Sequence, residues 1–146
     1  MHTFITILSI ILLLLILWDA FEAIVLPRRV TRRFRFTRFF YRCTWLPWSW
    51  IAKQMPPGKL RDGFLSVYGP LSVLFLLIVW ALGLVFSFAL LQWSLGSGVS
   101  GPEHISNFFT DLYVSGTTFF TLGLGDVVPK TAPARAITVV EAGMGF

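Results

Sequence analysis

The sequence predicts an all-α membrane protein, and three observations lead to that fold class. Hydrophobic residues make up 55% of the 146 residues and charged residues only 13%. This composition excludes a solvated enzyme and a disordered tail, which both need more polar surface. Two apolar runs are long enough to cross a bilayer as helices. A shorter, more polar segment with two closely spaced glycines lies between the second run and a last apolar stretch.

Residues 1–26 are predicted to form the first transmembrane helix. The stretch from Thr3 to Leu26 contains 24 residues, and its only charges are Asp19 and Glu22. As a helix it would reach about 36 Å, against roughly 30 Å for the hydrocarbon core of a bilayer. A signal peptide is the competing interpretation, but no basic residue precedes the apolar run and no A-x-A cleavage site follows it.

Residues 27–62 are predicted to form a basic cytoplasmic linker that lies partly at the membrane surface. Ten of the twelve basic residues fall between Arg28 and Arg61, with no acidic residue among them. The positive-inside rule places this linker in the cytoplasm and the N-terminus outside. On a helix, five arginines share one arc and would contact anionic lipid; we call them the Arg belt: Arg28, Arg32, Arg35, Arg38 and Arg42. A β-strand is an alternative conformation for part of this segment. No nucleic acid partner is expected.

Residues 63–93 are predicted to form the outer transmembrane helix, followed by an extracellular loop over 94–104. No charge occurs from Gly63 to Pro102, and the residues from Leu71 to Trp93 are almost all apolar. A run of this length is typical of a membrane span. Trp80 is expected to face lipid. The loop is rich in glycine and serine, which favours flexibility over regular structure.

Residues 105–131 are predicted to contain a pore helix and a filter loop, because the stretch from Ile105 to Thr118 is too short and too polar for an ordinary span. A half-helix is predicted from Ile105 to Thr118, followed by an irregular loop, which survives at membrane depth only where protein buries it or where it lines a wet cavity. Gly123 and Gly125 alternate with larger residues, so φ can be positive at alternate positions and successive carbonyls can point to one side. Several such loops around one axis would form rings of oxygens able to bind a dehydrated cation.

Residues 132–146 are predicted to begin an inner transmembrane helix, with Pro133 in its first turn. From Pro133 to Phe146 the helix would reach only about 21 Å, so we expect a truncated third span and hence a fragment of a longer protein. Glu141 lies roughly 10 Å into this helix. An ionisable group at that depth is a functional candidate, and we expect its carboxyl to be hydrogen-bonded to threonine or to backbone behind the loop.

The pattern T-x-x-T-x-G-x-G-D resembles the signature of the potassium channel pore-loop family, and it is formed here by Thr118, Thr121, Gly123, Gly125 and Asp126. The resemblance implies a homotetramer in a plasma membrane or bacterial inner membrane. It also implies that K⁺ is the permeant ion. The sequence has no Cys-x-x-Cys pair or His cluster typical of a metal site. It also has no Ser-His-Asp set, Cys–His pair or phosphate-binding loop, so no enzyme activity and no cofactor other than the permeant ion are expected.

The resemblance assigns roles to individual residues of the loop. The selectivity filter that binds K⁺ would be formed by Thr121, Leu122, Gly123, Leu124 and Gly125. Thr118 would support this filter and Asp126 would lie at its outer mouth. The family usually has an aromatic residue between the two glycines, where this sequence has Leu124. Leucine occurs there in the second pore of two-pore-domain potassium channels, but it has no hydroxyl with which to brace the filter.

Two alternative functions stay open at this point. A Trk-type secondary potassium transporter also uses helix, half-helix and helix units, but such chains carry four unlike units with usually one filter glycine each. A non-catalytic membrane anchor would use only the Arg belt to bind lipid. A plain turn between two helices would also use glycine and aspartate, so the glycine pair alone does not separate these functions.

Overall fold

The computed structural model describes residues 2–25, 36–96, 99–100 and 107–146, and most of these are helical. Arg28, Arg32 and Arg35 of the Arg belt lie outside the described residues, as does most of the predicted extracellular loop. The elements in chain order are α1 (His2–Val25), α2 (Phe36–Gln54), α3 (Lys59–Ser94), β1 (Val99–Ser100), α4 (Phe108–Phe119), β2 (Val128–Pro129) and α5 (Ala132–Gly145).

α1 and α3 are the two helices in the described part of the chain that are long and apolar enough to cross a membrane. Their most apolar windows are only 11% and 39% buried, respectively. The core helix of a soluble protein would be mostly buried, whereas lipid contact requires apolar side chains that face outward. Leu14, Leu15 and Ile24 illustrate this on α1, since each is more than 60% exposed.

α3 is longer than the sequence predicts. It begins at Lys59 instead of residue 63 and continues through Pro70 to Ser94, a length of 36 residues or about 54 Å. The prediction placed the start at the first uncharged residue, but a helix can begin outside the membrane. Asp62 in the first turn favours this start because a carboxylate stabilises the positive end of the helix dipole.

The chain forms two compact units: the first comprises Met1–Ile16 and Ala81–Phe146, and the second comprises Leu17–Trp80. Aromatic contacts join α2 to α3 within the second unit. Trp48 stacks on Phe64 with ring centroids 4.3 Å apart, and Trp45 meets Tyr68 edge-on at 4.9 Å. Trp45 and Trp48 of α2 therefore contribute to helix packing.

Asp19 anchors α1 in the second unit. Its carboxylate accepts hydrogen bonds from the Thr37 hydroxyl at 2.8 Å and from the Trp80 indole N–H at 3.0 Å. Trp80 is only 6% exposed, so the prediction that it faces lipid is wrong. A buried carboxylate needs hydrogen-bond donors, and the indole N–H supplies one.

In the first unit, α1 and α3 approach closely at Gly83. A Cβ atom at Gly83 would lie 2.8 Å from Cδ1 of Ile16. The Thr6 hydroxyl also donates to the Ser94 hydroxyl at 2.9 Å. These contacts hold the first half of α1 against the second half of α3.

The elements around the loop also belong to the first unit. α4 begins at Phe108, later than predicted, because the Asn107 side chain caps the helix by accepting from the Thr110 N–H at 2.9 Å. β1 and β2 pair antiparallel, with Val99 opposite Pro129. This short ladder adds a two-stranded element to the predicted all-α fold. Thr131 caps α5 and places Pro133 in the first turn, as predicted.

Candidate functional site

The loop after α4 has an alternating backbone. Thr121, Gly123 and Gly125 have positive φ angles of 55°, 53° and 74°, whereas Leu122 and Leu124 between them do not. The prediction of positive φ at the two glycines is confirmed, and Thr121 extends the alternation by one residue. Alternation of this kind allows successive carbonyls to point to one side of the loop.

The N–H groups at the start of the loop bind to the C-terminal end of α4. The Leu122 N–H donates to the Thr117 carbonyl at 2.8 Å, and the Gly123 N–H approaches the same oxygen at 3.4 Å. The Thr121 N–H donates to the Thr118 carbonyl at 3.0 Å. Thr118 therefore supports the loop through its backbone, and Thr117 is a supporting residue that the sequence pattern did not single out.

The carbonyl oxygens of the loop are available for a ligand. From Thr121 to Gly125, none of these oxygens accepts a hydrogen bond from the described part of the chain. All five residues are exposed, and Leu122 and Leu124 are 63% and 62% exposed. Unpaired carbonyl oxygens either bind water or bind a cation.

Steric crowding does not explain why glycine occurs at positions 123 and 125 of the loop. A Cβ atom at Gly123 or Gly125 would meet no other heavy atom within 4 Å. The positive φ is therefore what favours glycine at both positions, since residues with a side chain rarely adopt it.

Asp126 follows the loop and is held by α4. Its carboxylate accepts a hydrogen bond from the Tyr113 hydroxyl at 2.8 Å. This hydrogen bond raises the pKa of Tyr113, with smaller contributions from burial and from the negative charge of Asp126. Tyr113 lies thirteen positions earlier and matches no motif, so sequence analysis did not identify it as the partner.

Glu141 is buried in a group that we call the polar cluster: Gln92 on α3, Ser115 on α4 and Glu141 on α5. Each is at most 1% exposed. The Gln92 amide donates to Glu141 Oε2 at 3.3 Å, and Ser115 Oγ is hydrogen-bonded to Glu141 Oε1. The prediction of a hydrogen-bonded carboxyl is confirmed, but its partners are serine and glutamine instead of threonine or backbone.

α5 also approaches the end of α4 at Gly145. A Cβ atom there would lie 1.9 Å from the carbonyl oxygen of Phe119, the last residue of α4. Only glycine permits this approach of one backbone to the other. The close approach and the polar cluster together fix α5 against the helix that carries the loop.

Arg38 and Arg42 of the Arg belt lie on α2, in the second unit. Arg38 lines a cavity of about 460 Å³ together with Thr37 and Tyr41, and the other lining residues are apolar: Ala23, Ile24, Val73, Leu76, Leu77 and Trp80. The described residues contain no group of three or more His, Cys, Asp or Glu side chains able to hold a metal ion.

Comparison with known proteins gives one match. Residues 72–146, more than half of the chain, match the model of a family described as an ion channel. The matched region contains most of α3, all of α4 and α5, and the complete loop. No curated protein and no solved structure matches the chain.

Proposed function

The chain belongs to this ion channel family, and from that premise we propose that it is the pore-forming subunit of a homotetrameric potassium channel. It is a membrane protein, and the proposed site is the loop from Thr121 to Gly125. The observation that carries the proposal is the alternating φ of this loop, together with carbonyl oxygens that accept no hydrogen bond from the described residues.

In the proposed assembly, four loops surround one axis and their carbonyls form stacked rings. The five residues would line about 12–16 Å of pore. The oxygens replace the hydration shell of K⁺, which passes through down its gradient. A rigid scaffold must keep the oxygens in place, and the N–H bonds to Thr117 and Thr118 supply part of it.

α4 supports cation binding electrostatically. Its C-terminal end adjoins the loop, and the last carbonyls of a helix carry partial negative charge. In the proposed orientation, α4 is a re-entrant half-helix that starts at the outer surface. The N-terminus is outside, the Arg belt is cytoplasmic, and Asp126 lies at the outer mouth, where Tyr113 restrains it. We place the protein in a plasma membrane or a bacterial inner membrane.

Flux measurements test the proposed function. The protein is reconstituted into liposomes, and K⁺ and Na⁺ uptake is followed for wild type and for Gly125→Ala. We expect K⁺ uptake well above Na⁺ uptake in wild type and loss of that preference in Gly125→Ala. Gly143→Ala is the matched control, because a Cβ at Gly143 meets no atom within 4 Å and its φ is not positive.

The alternatives predict other results in the same experiment. A membrane anchor gives no ion uptake, and either no uptake or uptake without K⁺ preference removes the proposal. A Trk-type transporter would use four unlike units, so four identical chains in the active particle exclude it.

The cavity beside Arg38 supports a second proposal, that anionic lipid binds the Arg belt. A phosphate at Arg38 would leave the acyl chain against the apolar wall formed by residues such as Val73 and Leu77. We expect Arg38→Gln to weaken binding of phosphatidylglycerol to the protein in detergent micelles. Arg135→Gln is the control, because Arg135 lies on α5 and donates to the Pro129 carbonyl. Equal binding by both variants would contradict the proposal.

A further inference from the structure

The polar cluster contains more hydrogen-bond contacts than an ionised Glu141 can satisfy. Ser115 Oγ lies 2.7 Å from the Val85 carbonyl oxygen and is also hydrogen-bonded to Glu141 Oε1. A serine hydroxyl has one hydrogen, and a carbonyl oxygen has none to give. The two contacts of Ser115 therefore need a second hydrogen atom.

Only Glu141 can supply that hydrogen. If Ser115 donates to Val85, its oxygen must accept from Glu141, which requires a protonated carboxyl. If Ser115 instead donated to an ionised Glu141, its oxygen and the Val85 oxygen would face each other at 2.7 Å with no hydrogen between them. Glu141 Oε2 accepts from the Gln92 amide, which is the role of the carbonyl oxygen of a carboxylic acid.

The surrounding charges favour the same assignment. α3 has no charged residue between Ala81 and Ser94. On α4, Asp111 lies one helical turn before Ser115 and is fully buried. On α5, Arg135 is exposed and donates to the Pro129 carbonyl. In the part of the chain that the structure describes, the side chains hydrogen-bonded to Glu141 are Gln92 and Ser115, and neither is a cation. A buried carboxylate without a cation is costly, whereas a neutral acid with two hydrogen bonds is not.

We infer that Glu141 is a neutral carboxylic acid and that it positions the loop. Its proton forms a hydrogen bond from α5 to Ser115 of α4, and Ser115 in turn donates to the backbone of α3. This inference rests on the proposed function. Ser115 lies two residues before Thr117, whose carbonyl holds the N–H groups of the loop. Loss of the proton turns the Ser115 hydroxyl toward the carboxylate and breaks its bond to Val85. Glu141 is thus a positioning residue, and its proton links conduction to pH.

Infrared spectroscopy of the full chain in lipid tests the assignment without any measurement of conduction. The carbonyl stretch of a protonated carboxylic acid lies apart from the amide and carboxylate bands. We expect the spectrum of wild type minus Glu141→Gln, near neutral pH, to contain this band. A carboxylate band in its place would overturn the inference, and the proposed channel function would be unaffected.

Ser115→Ala provides a second spectroscopic variant. It removes the acceptor of the Glu141 proton while keeping the carboxyl itself. The protonated-acid band should therefore move, because its hydrogen bond to serine is lost. A band at the wild-type position would overturn the inference even if Glu141→Gln failed to fold.

The pH profile of K⁺ flux tests the positioning role. A glutamine amide can donate to Ser115 and accept from Gln92 without a titratable proton. We expect Glu141→Gln to conduct within about a factor of two of wild type near neutrality, since one neutral hydrogen bond replaces another. In strongly alkaline solution wild type should lose flux and Glu141→Gln should keep it. An equal loss of K⁺ flux in wild type and Glu141→Gln at alkaline pH would contradict the positioning role of Glu141.

Discussion

At the scale of single residues, the loop depends on backbone conformations that most side chains oppose. Thr121 adopts φ of 55°, although a left-handed conformation costs a non-glycine residue about 1–2 kcal/mol. Strain of this kind is kept where the surrounding structure fixes the chain, and here the Thr121 N–H is held by Thr118. The positive φ at both glycines was predictable from their spacing, whereas threonine carries no sequence signal for this conformation.

Gly123→Ala should distort the loop without causing a clash. Its Cβ meets no atom within 4 Å, so the penalty comes from φ alone and amounts to about 1–2 kcal/mol. We expect the loop to relax to negative φ, the carbonyl alternation to fail, and K⁺ preference over Na⁺ to fall in liposome flux. Thermal unfolding should change little. A variant with unchanged ion preference would contradict the role of the alternating backbone.

Tyr113 and Asp126 should act as one unit. Tyr113→Phe and Asp126→Asn each alter the same hydrogen bond of 2.8 Å, so their effects on K⁺ flux should not add in the double variant. The flux of the two single variants and the double variant is measured in one lipid composition. Fully additive losses would show that the two side chains act independently. Neither partner's spacing predicts this contact, because it depends on the path of the loop.

At the scale of helices, the lengths of the apolar runs predicted the membrane spans but not the contacts between helices, which depend on packing. The sequence predicted α1 almost residue by residue. It did not predict that α2 continues through Pro47 or that Trp48 stacks on Phe64 of α3. Such contacts depend on which faces of two helices meet, and composition does not specify that.

Gly145 and Gly143 offer a matched pair on α5. Gly145→Ala places a Cβ 1.9 Å from the Phe119 carbonyl oxygen, whereas the Cβ of Gly143→Ala meets nothing within 4 Å. We expect Gly145→Ala to lower the melting temperature and to reduce K⁺ flux, because α5 must move away from α4. Gly143→Ala should be neutral or stabilise α5 by about 0.5–1 kcal/mol. Equal melting temperatures would contradict the close approach.

The aromatic stack between α2 and α3 should contribute to stability. Trp48→Leu removes a ring that lies 4.3 Å from Phe64, and such pairs contribute about 0.5–1.5 kcal/mol beyond the area that they bury. Trp50→Leu is the control on the same helix, because Trp50 is 64% exposed. Thermal unfolding in detergent should show the larger loss for Trp48→Leu, and a larger loss for Trp50→Leu would contradict the stack.

At the scale of the whole molecule, exposed apolar surface and uneven charge define a membrane protein, and the family match identifies an ion channel. The polar cluster was beyond sequence analysis, because Gln92, Ser115 and Glu141 are distant in the chain and share no motif. Sequence analysis could predict the loop, because its residues are adjacent in the chain and backbone chemistry explains their spacing.

The most direct test of the account is electron microscopy of the protein reconstituted in lipid with K⁺. We predict four copies around one axis, with the carbonyl oxygens of Thr121, Leu122, Gly123 and Leu124 turned toward it and density for ions between them. A particle with another number of subunits, or loops whose carbonyls turn away from the axis, would contradict the account.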